Sequence, residues 1–189
     1  MLGDWKTRAG VSISPDNAFL FQFAEVEDCQ KVLAKAPWSV TGNLLVLQSL
    51  QSEKATTKMD FRRSPLWVQV HGLPMDKLTK AHWEIISSQI GKLVCVEAHS
   101  QGLILHRNFL CIRVDVNVTI PLLQGFILHR RGCSAHEENG VKVFYKYEKL
   151  TEFCYDCDHI GHDNVSCKFM TREEGKSSSY GLEMRMGIA

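Results

Sequence analysis

The chain has 189 residues, which is enough for one large domain or two small ones. Hydrophobic residues make up 44% and charged residues 23%, a composition that excludes intrinsic disorder as a description of the whole chain. The balance of 22 Lys+Arg against 21 Asp+Glu gives a formal net charge of +1, which excludes a strongly basic nucleic-acid binder. No apolar run is long enough to span a membrane and the N-terminus has no apolar signal core, so we expect no membrane partner and no signal peptide.

The seven cysteines are distributed unevenly along the chain. Three of them crowd between Cys154 and Cys167 with a histidine among them, and the other four are scattered. In a chain without a secretion signal, this distribution predicts reduced thiols plus a metal site and not a disulfide framework. We therefore expect an intracellular protein, in the nucleus or the cytoplasm.

Residues 1–50 predict a partial N-terminal α+β module. Its predicted elements are an edge strand at 10–13, a strand at 18–23, a helix at 25–36 and a short strand at 44–47. Pro37 is predicted to stop the helix, because proline cannot continue it. The polar and basic residues 51–64 are interpreted as a linker.

Residues 65–150 predict a second α+β module. Its predicted elements are a strand at 66–71, a helix at 80–90, strands at 93–96 and 109–118, and a hairpin of 125–129 with 141–147. Gly91 is predicted to end the helix as a left-handed glycine, and Trp67 and Trp83 are predicted core residues. The predicted class is α+β, with RRM-like or ferredoxin-like βαβ modules and mixed antiparallel sheets; a generic two-layer sandwich is the alternative.

Residues 151–168 carry the motif C-x2-C-x4-H-x4-C. Its predicted metal ligands are Cys154, Cys157, His162 and Cys167. Three thiolates and one imidazole with no open position suit a structural Zn²⁺ ion, and Gly161 allows the backbone to fold back before His162. So short a loop builds no core, so metal binding would supply its folding free energy, on the order of 10 kcal/mol. His159 breaks the spacing and is predicted to be a surface residue, and residues 169–189 are predicted to be a flexible tail.

The motif resembles the CCHC zinc knuckle of retroviral type. Its lead-in at 144–154 resembles the approach to knuckles in a plant family related to non-LTR retrotransposons. Residues 19–23, 37–38 and the W-V-x-V-x-G-L-P block at 67–74 resemble the domain of unknown function that precedes the knuckle in that family. The resemblance implies a retroelement gag-like origin. The chain departs from the family by starting late, by Thr151 in place of a usual proline, and by Asp158 in place of a common glycine.

Zinc knuckles bind single-stranded nucleic acid by stacking unpaired bases on exposed side chains. Tyr155 and Ile160 are the candidates for this contact, and packing of Tyr155 towards Phe153 is the alternative. The candidate phosphate contacts in the body are Arg62, Arg63, Arg130, Arg131, Lys142 and Lys146. Lys142 and Lys146, together with Lys149, alternate on a predicted strand and would share one face. A solvated surface is the alternative for each of these cations.

Two functions remain open from the sequence. The first is a module that binds single-stranded RNA or DNA. The second is a protein-interaction or self-association module in which zinc is purely structural; it is favoured by the four acidic residues of the knuckle, Glu152, Asp156, Asp158 and Asp163. The motifs of nucleotide-binding loops and zinc proteases do not occur, so we expect no enzymatic activity and no small-molecule substrate.

Overall fold

The structure is a computed structural model that describes residues 12–13, 19–50, 59–97, 109–129, 140–150 and 152–169. Within these ranges the chain contains two α-helices and antiparallel sheets, which confirms the predicted α+β class. Arg130, Arg131 and the predicted tail from residue 170 onwards lie outside the described residues. Neither of the described helices is long and apolar enough to cross a membrane.

The N-terminal elements form two small hairpins around one helix. They are β1 (Ser12–Ile13), β2 (Phe19–Leu20), α1 (Val26–Ala34), β3 (Trp38–Val40) and β4 (Asn43–Leu45). β1 pairs with β2 and β3 pairs with β4, both antiparallel. Thr41 and Gly42 connect β3 to β4 with φ of 51° and 94°, the left-handed backbone that two-residue hairpins require. The indole N–H of Trp38 donates to the Val32 carbonyl at 2.8 Å and so ties β3 to α1.

The following elements build one five-stranded sheet. They are β5 (Arg63–His71), α2 (Lys80–Ile90), β6 (Gly91–Val96), β7 (Phe109–Asn117), β8 (Gly125–Leu128) and β9 (Val141–Tyr147). The strand order is β6-β7-β5-β9-β8, and every neighbouring pair is antiparallel. The bounds of α2 match the prediction, and so does the pairing of β8 with β9. β5 begins at Arg63 and therefore overlaps the end of the predicted linker.

The main core lies between α2 and one face of this sheet. Side chains that alternate along a strand point to the same face, and the inward set of the three central strands is apolar. It consists of Leu66, Val68 and Val70 from β5, Leu110, Ile112, Val114 and Val116 from β7, and Val143, Tyr145 and Tyr147 from β9. Trp83 and Ile86 of α2 pack onto it, which agrees with the core prediction for Trp83. Trp67 lies on the opposite face and is only partly buried, because it alternates with Leu66 and Val68.

Gly91 differs from its prediction as a left-handed helix terminator. Its φ of 168° is extended, and it is the first residue of β6. A Cβ atom at this position would lie 2.1 Å from the backbone oxygen of Asp115 on β7. The prediction is therefore wrong in its reason: glycine is needed here because β6 approaches β7 closely, not because the chain turns left-handed.

Arg113 connects the N-terminal elements to the outer face of the sheet, the face opposite α2. Its guanidinium is buried, and Nη2 donates to the carbonyls of Leu33 at 3.0 Å and Ala36 at 2.9 Å. These carbonyls lie at the C-terminal end of α1, where backbone acceptors have no partner within the helix. The guanidinium also lies over the Trp67 ring, 5.9 Å from its centroid. A charge-assisted cap thus fixes α1 to β7 and covers part of the outer face.

Candidate metal centre and nucleic-acid surface

The knuckle segment, residues 152–169, folds back on itself through backbone hydrogen bonds. Phe153 and Ile160 form an antiparallel bridge, and the amide of Cys154 donates to the carbonyl of His159 at 2.9 Å. The amide of Asp158 donates to the carbonyl of Cys154 at 2.8 Å and closes the turn between the first two cysteines. Gly161 has a φ of 103°, so the predicted need for glycine before His162 is confirmed.

The four predicted ligands converge at one point of this segment. The Sγ atoms of the three cysteines and a ring nitrogen of His162 all lie within 4.8 Å of one another. Cys157 Sγ lies 3.2 Å from His162 Nε2. A tetrahedral shell with metal–sulfur distances of 2.3 Å has ligands about 3.4–3.8 Å apart, so small side-chain adjustments would complete it. The group could therefore hold a metal ion.

Asp158 occupies the position where the resembled family commonly has glycine. Its φ of 63° is left-handed, a conformation that aspartate adopts more readily than most residues. Burial raises the pKa of its carboxyl to about 6. Asp163 has a structural use, because its Oδ1 accepts hydrogen bonds from the Ser166 amide at 2.8 Å and the Ser166 hydroxyl at 2.6 Å. Two of the four acidic residues of the knuckle segment therefore take part in its fold: Asp158 is partly buried, and Asp163 accepts hydrogen bonds from Ser166.

The knuckle segment is packed on the body of the protein. Phe153 and Cys154 are buried, and Phe153 belongs to the same core cluster as the sheet residues. The carbonyl of Asp158 accepts a hydrogen bond of 2.8 Å from the amide of Leu122, a buried residue in the connection from β7 to β8. The metal ligands are therefore held against the sheet, and the core stabilises the fold around them.

Tyr155 and Ile160, the predicted base contacts, both pack on the core and remain partly exposed. The Tyr155 ring meets the Phe153 ring edge-on, with centroids 5.1 Å apart. This is the contact that the packing alternative describes. Ile160 lies opposite Phe153 in the backbone bridge. Neither side chain is fully exposed to solvent, because each packs against the core.

The four predicted phosphate contacts that the structure describes fall into two groups. Arg62 pairs with Asp60 at 2.8 Å, and Arg63 pairs with Asp115 at 2.7 Å, so each already faces a carboxylate. Lys142 and Lys146 lie on β9 and share the outer face, as predicted. Lys149 lies beyond the end of β9, so the prediction that it belongs to this row is wrong. Within the described part of the chain, neither Lys142 nor Lys146 forms an ion pair.

Aromatic side chains outside the predicted set also form surface features. Phe169 is 65% exposed and stacks on His159, with ring centroids 4.8 Å apart and planes at 4°. The Nδ1–H of His159 donates to the Cys157 carbonyl at 2.7 Å and fixes the ring beside the metal ligands. The prediction of His159 as a mere surface residue missed this role. The aromatic residue Phe169, just after the motif, was the sequence signal that could have indicated this contact of His159.

A second set of rings lies on the sheet. His71, Phe109 and Phe144 occupy adjacent positions on β5, β7 and β9. Each is partly exposed. The sequence places His71 and Phe109 at the ends of strands and Phe144 within one, but it does not give the strand order that brings the three rings together.

Comparison with known proteins gives one finding for this chain. A family model described as a domain of unknown function, DUF4283, matches residues 1–58 of the 189. The W-V-x-V-x-G-L-P block at 67–74 lies beyond that match. No curated protein and no solved structure matches the chain.

The pH dependence of metal binding follows from the thiols. Burial, with further contributions from the Cys154 and Cys167 thiols, raises the pKa of the Cys157 thiol to about 12. That thiol is protonated at neutral pH without metal and must lose its proton to become a ligand. We therefore expect the apparent zinc affinity to rise about tenfold or more per pH unit between pH 6 and 8. Competition with a chelator of known proton affinity measures this slope; an affinity that is independent of pH would contradict thiolate ligation.

Proposed function

We propose that this protein binds one structural Zn²⁺ ion through Cys154, Cys157, His162 and Cys167 and binds single-stranded nucleic acid. The observation that carries the proposal is the convergence of these four side chains within 4.8 Å in a C-x2-C-x4-H-x4-C segment. Three sulfurs and one imidazole are the donor set that zinc prefers in structural sites. Four protein ligands leave no open position on the ion, so the proposed role is binding and not catalysis.

The nucleic-acid part of the proposal is supported by exposed side chains of the knuckle segment and by two lysines of β9. Phe169 offers an exposed ring face beside His159, and stacking on such faces is how unpaired bases are bound with little sequence preference. Lys142 and Lys146 form no ion pair among the described residues and are available for phosphates. Cys29 and Cys95 are unpaired thiols, and three further cysteines converge with His162, a use of cysteine that supports an intracellular location in the nucleus or cytoplasm.

The finer fold and family assignments also remain proposals. The RRM-like or ferredoxin-like assignment is supported by β5, α2 and β6, which form a βαβ unit split by the antiparallel strand β7. The DUF4283 match at 1–58 followed by the Cys/His motif is the order expected for a retrotransposon-related, gag-like protein with a zinc knuckle.

A protein-interaction or self-association module is the second candidate. It is favoured by the ion pairs of Arg62 and Arg63, which occupy two of the predicted phosphate contacts. The acidic residues of the knuckle segment and the net charge of +1 also favour it.

A fluorescence-anisotropy titration separates the two candidates. The zinc-loaded full chain is titrated into a labelled oligouridylate or oligothymidylate about 12 nucleotides long, at low and at physiological salt. We expect binding to single strands that exceeds binding to a duplex of equal length. The logarithm of the association constant should fall with log salt with a slope of about −1.4, the value for two phosphate contacts. Absence of binding at low salt would overturn the nucleic-acid proposal and leave the protein-interaction candidate.

A further inference from the structure

Three rings form a continuous row on the outer face of the sheet. His71 on β5 lies directly opposite Phe109 on β7 and Phe144 on β9. Its ring centroid is 4.8 Å from that of Phe109 and 5.1 Å from that of Phe144, and the His71 and Phe144 planes are within 10° of parallel. We call these three residues the ring row. The α2 helix covers the other face of the sheet, and all three rings keep part of their surface exposed.

Hydrogen bonds hold the middle ring in a fixed orientation. His71 Nε2 lies 3.0 Å from Gln69 Oε1, and Gln69 Nε2 donates to Glu148 Oε1 at 2.8 Å. Since the amide oxygen only accepts, His71 Nε2 carries the proton in this arrangement. Burial, and next the charge of Lys146, lower the pKa of His71. The imidazole is therefore neutral at physiological pH, and the ring row carries no charge of its own.

Two lysines accompany the ring row along β9. Lys146 Nζ lies 5.8 Å from the centroid of the Phe144 ring, and Lys142 lies on the same outer face two residues before Phe144. Cations beside aromatic faces match the two parts of a nucleotide, because phosphates are attracted by lysine and bases stack on rings. Lysine side chains are flexible, so the Lys146 ammonium can exchange the ring for a phosphate when a base covers that ring.

We propose that the ring row is a second contact surface for single-stranded nucleic acid, on which one or two unpaired bases stack while Lys142 and Lys146 contact the backbone phosphates. The charge complementarity favours a polyanion over an apolar protein segment as the occupant. This inference rests on the proposed function and adds to it, because the ring row belongs to the sheet and not to the knuckle segment. The sheet and the knuckle segment would then both bind nucleic acid, whereas the motif alone predicts binding by the knuckle segment.

The test compares single substitutions on the two surfaces in the zinc-loaded full chain. Phe144→Leu removes a stacking face from the ring row, and Phe169→Leu removes one from the knuckle segment. Lys146→Gln removes a cation from the ring row, and Lys80→Gln is its matched control, since Lys80 begins α2 on the other side of the sheet. The probe is the same labelled oligouridylate, and zinc content and thermal midpoint are measured for each variant.

We expect Phe144→Leu to weaken binding about tenfold, within the range for loss of one stacked base. Lys146→Gln should reduce the magnitude of the salt slope by about 0.7, the value for one phosphate contact on a single strand, and Lys80→Gln should leave it unchanged. If Phe144→Leu fails to fold, Lys146→Gln still tests the proposal, because the Lys146 side chain is partly exposed and its substitution leaves the core intact.

The outcomes separate this inference from the proposed function. If the wild type binds, Phe169→Leu weakens binding, and neither Phe144→Leu nor Lys146→Gln changes it, the ring-row inference and the phosphate contact of Lys146 are overturned, and binding by the knuckle segment stands. If the two ring-row variants weaken binding and Phe169→Leu does not, the ring row is supported and the knuckle is not the binding surface. If the wild type does not bind the oligonucleotide, both proposals fail.

Discussion

Substitution of Cys157 by serine is expected to abolish stoichiometric zinc binding and to unfold the knuckle segment beyond Cys154, while Phe153 and the five-stranded sheet stay folded. Cys157 Sγ lies 3.2 Å from His162 Nε2 inside the four-residue cluster, so its loss opens the metal shell. A serine hydroxyl is a poor zinc ligand, and metal binding supplies on the order of 10 kcal/mol to structural sites of this kind. The zinc content should fall from about one ion per chain to nearly none.

Plasma mass spectrometry of the purified, reduced protein measures the metal, and amide exchange measures which segment opens. Cys95→Ser is the matched control, because Cys95 is an exposed thiol on β6 outside the cluster. It should retain full zinc and normal exchange protection. Unchanged zinc in Cys157→Ser would remove this residue from the ligand set and with it the proposed zinc site.

The metal cluster was predictable from sequence because its residues are local. The ligands fall within one short segment, and the chemistry of thiolate and imidazole donors limits what such spacing can hold. The α2 helix was equally predictable, since Trp83, Ile86 and Ile90 recur at helical spacing and a strand follows directly.

The outer face of the sheet could not be predicted in the same way. The ring row depends on β5 lying between β7 and β9, and strand order is a long-range property that periodicity does not encode. Arg113 caps the carbonyls of Leu33 and Ala36, which lie 80 and 77 positions earlier in the chain. The sequence shows Arg113 among apolar residues of β7, together with Asp115, but it does not indicate the partner of Arg113.

The attachment of the knuckle segment to the body was predicted only as an alternative, the packing of Tyr155 towards Phe153, because the folding free energy of a short metal loop is expected to come from its metal. Instead, Phe153 directly precedes the first ligand and belongs to the core, 7% exposed. Leu150, 5% exposed, lies in the same cluster just after β9. Leu150 and Phe153 therefore connect the end of the last strand and the start of the metal cluster to the same hydrophobic core.

This continuity predicts that Phe153→Ala destabilises the sheet without removing the metal. Truncating a buried phenylalanine costs about 3–5 kcal/mol, because apolar contacts are lost and a cavity remains. The four ligand side chains are unchanged, so zinc should stay near one ion per chain under native conditions. Chemical denaturation followed by tryptophan fluorescence measures the free energy of unfolding, since Trp83 lies in the same core cluster.

Phe169→Ala is the matched control for this experiment. Phe169 belongs to the same knuckle segment but is 65% exposed, so its truncation should change the free energy of unfolding by less than about 1 kcal/mol. Equal, small effects of both substitutions would mean that the knuckle segment does not share the core of the sheet. A large effect of Phe153→Ala alone, with zinc retained, would show that the Phe153 ring attaches the knuckle segment to the core of the sheet. Removing the metal and removing the ring would then destabilise different parts of one continuous structure.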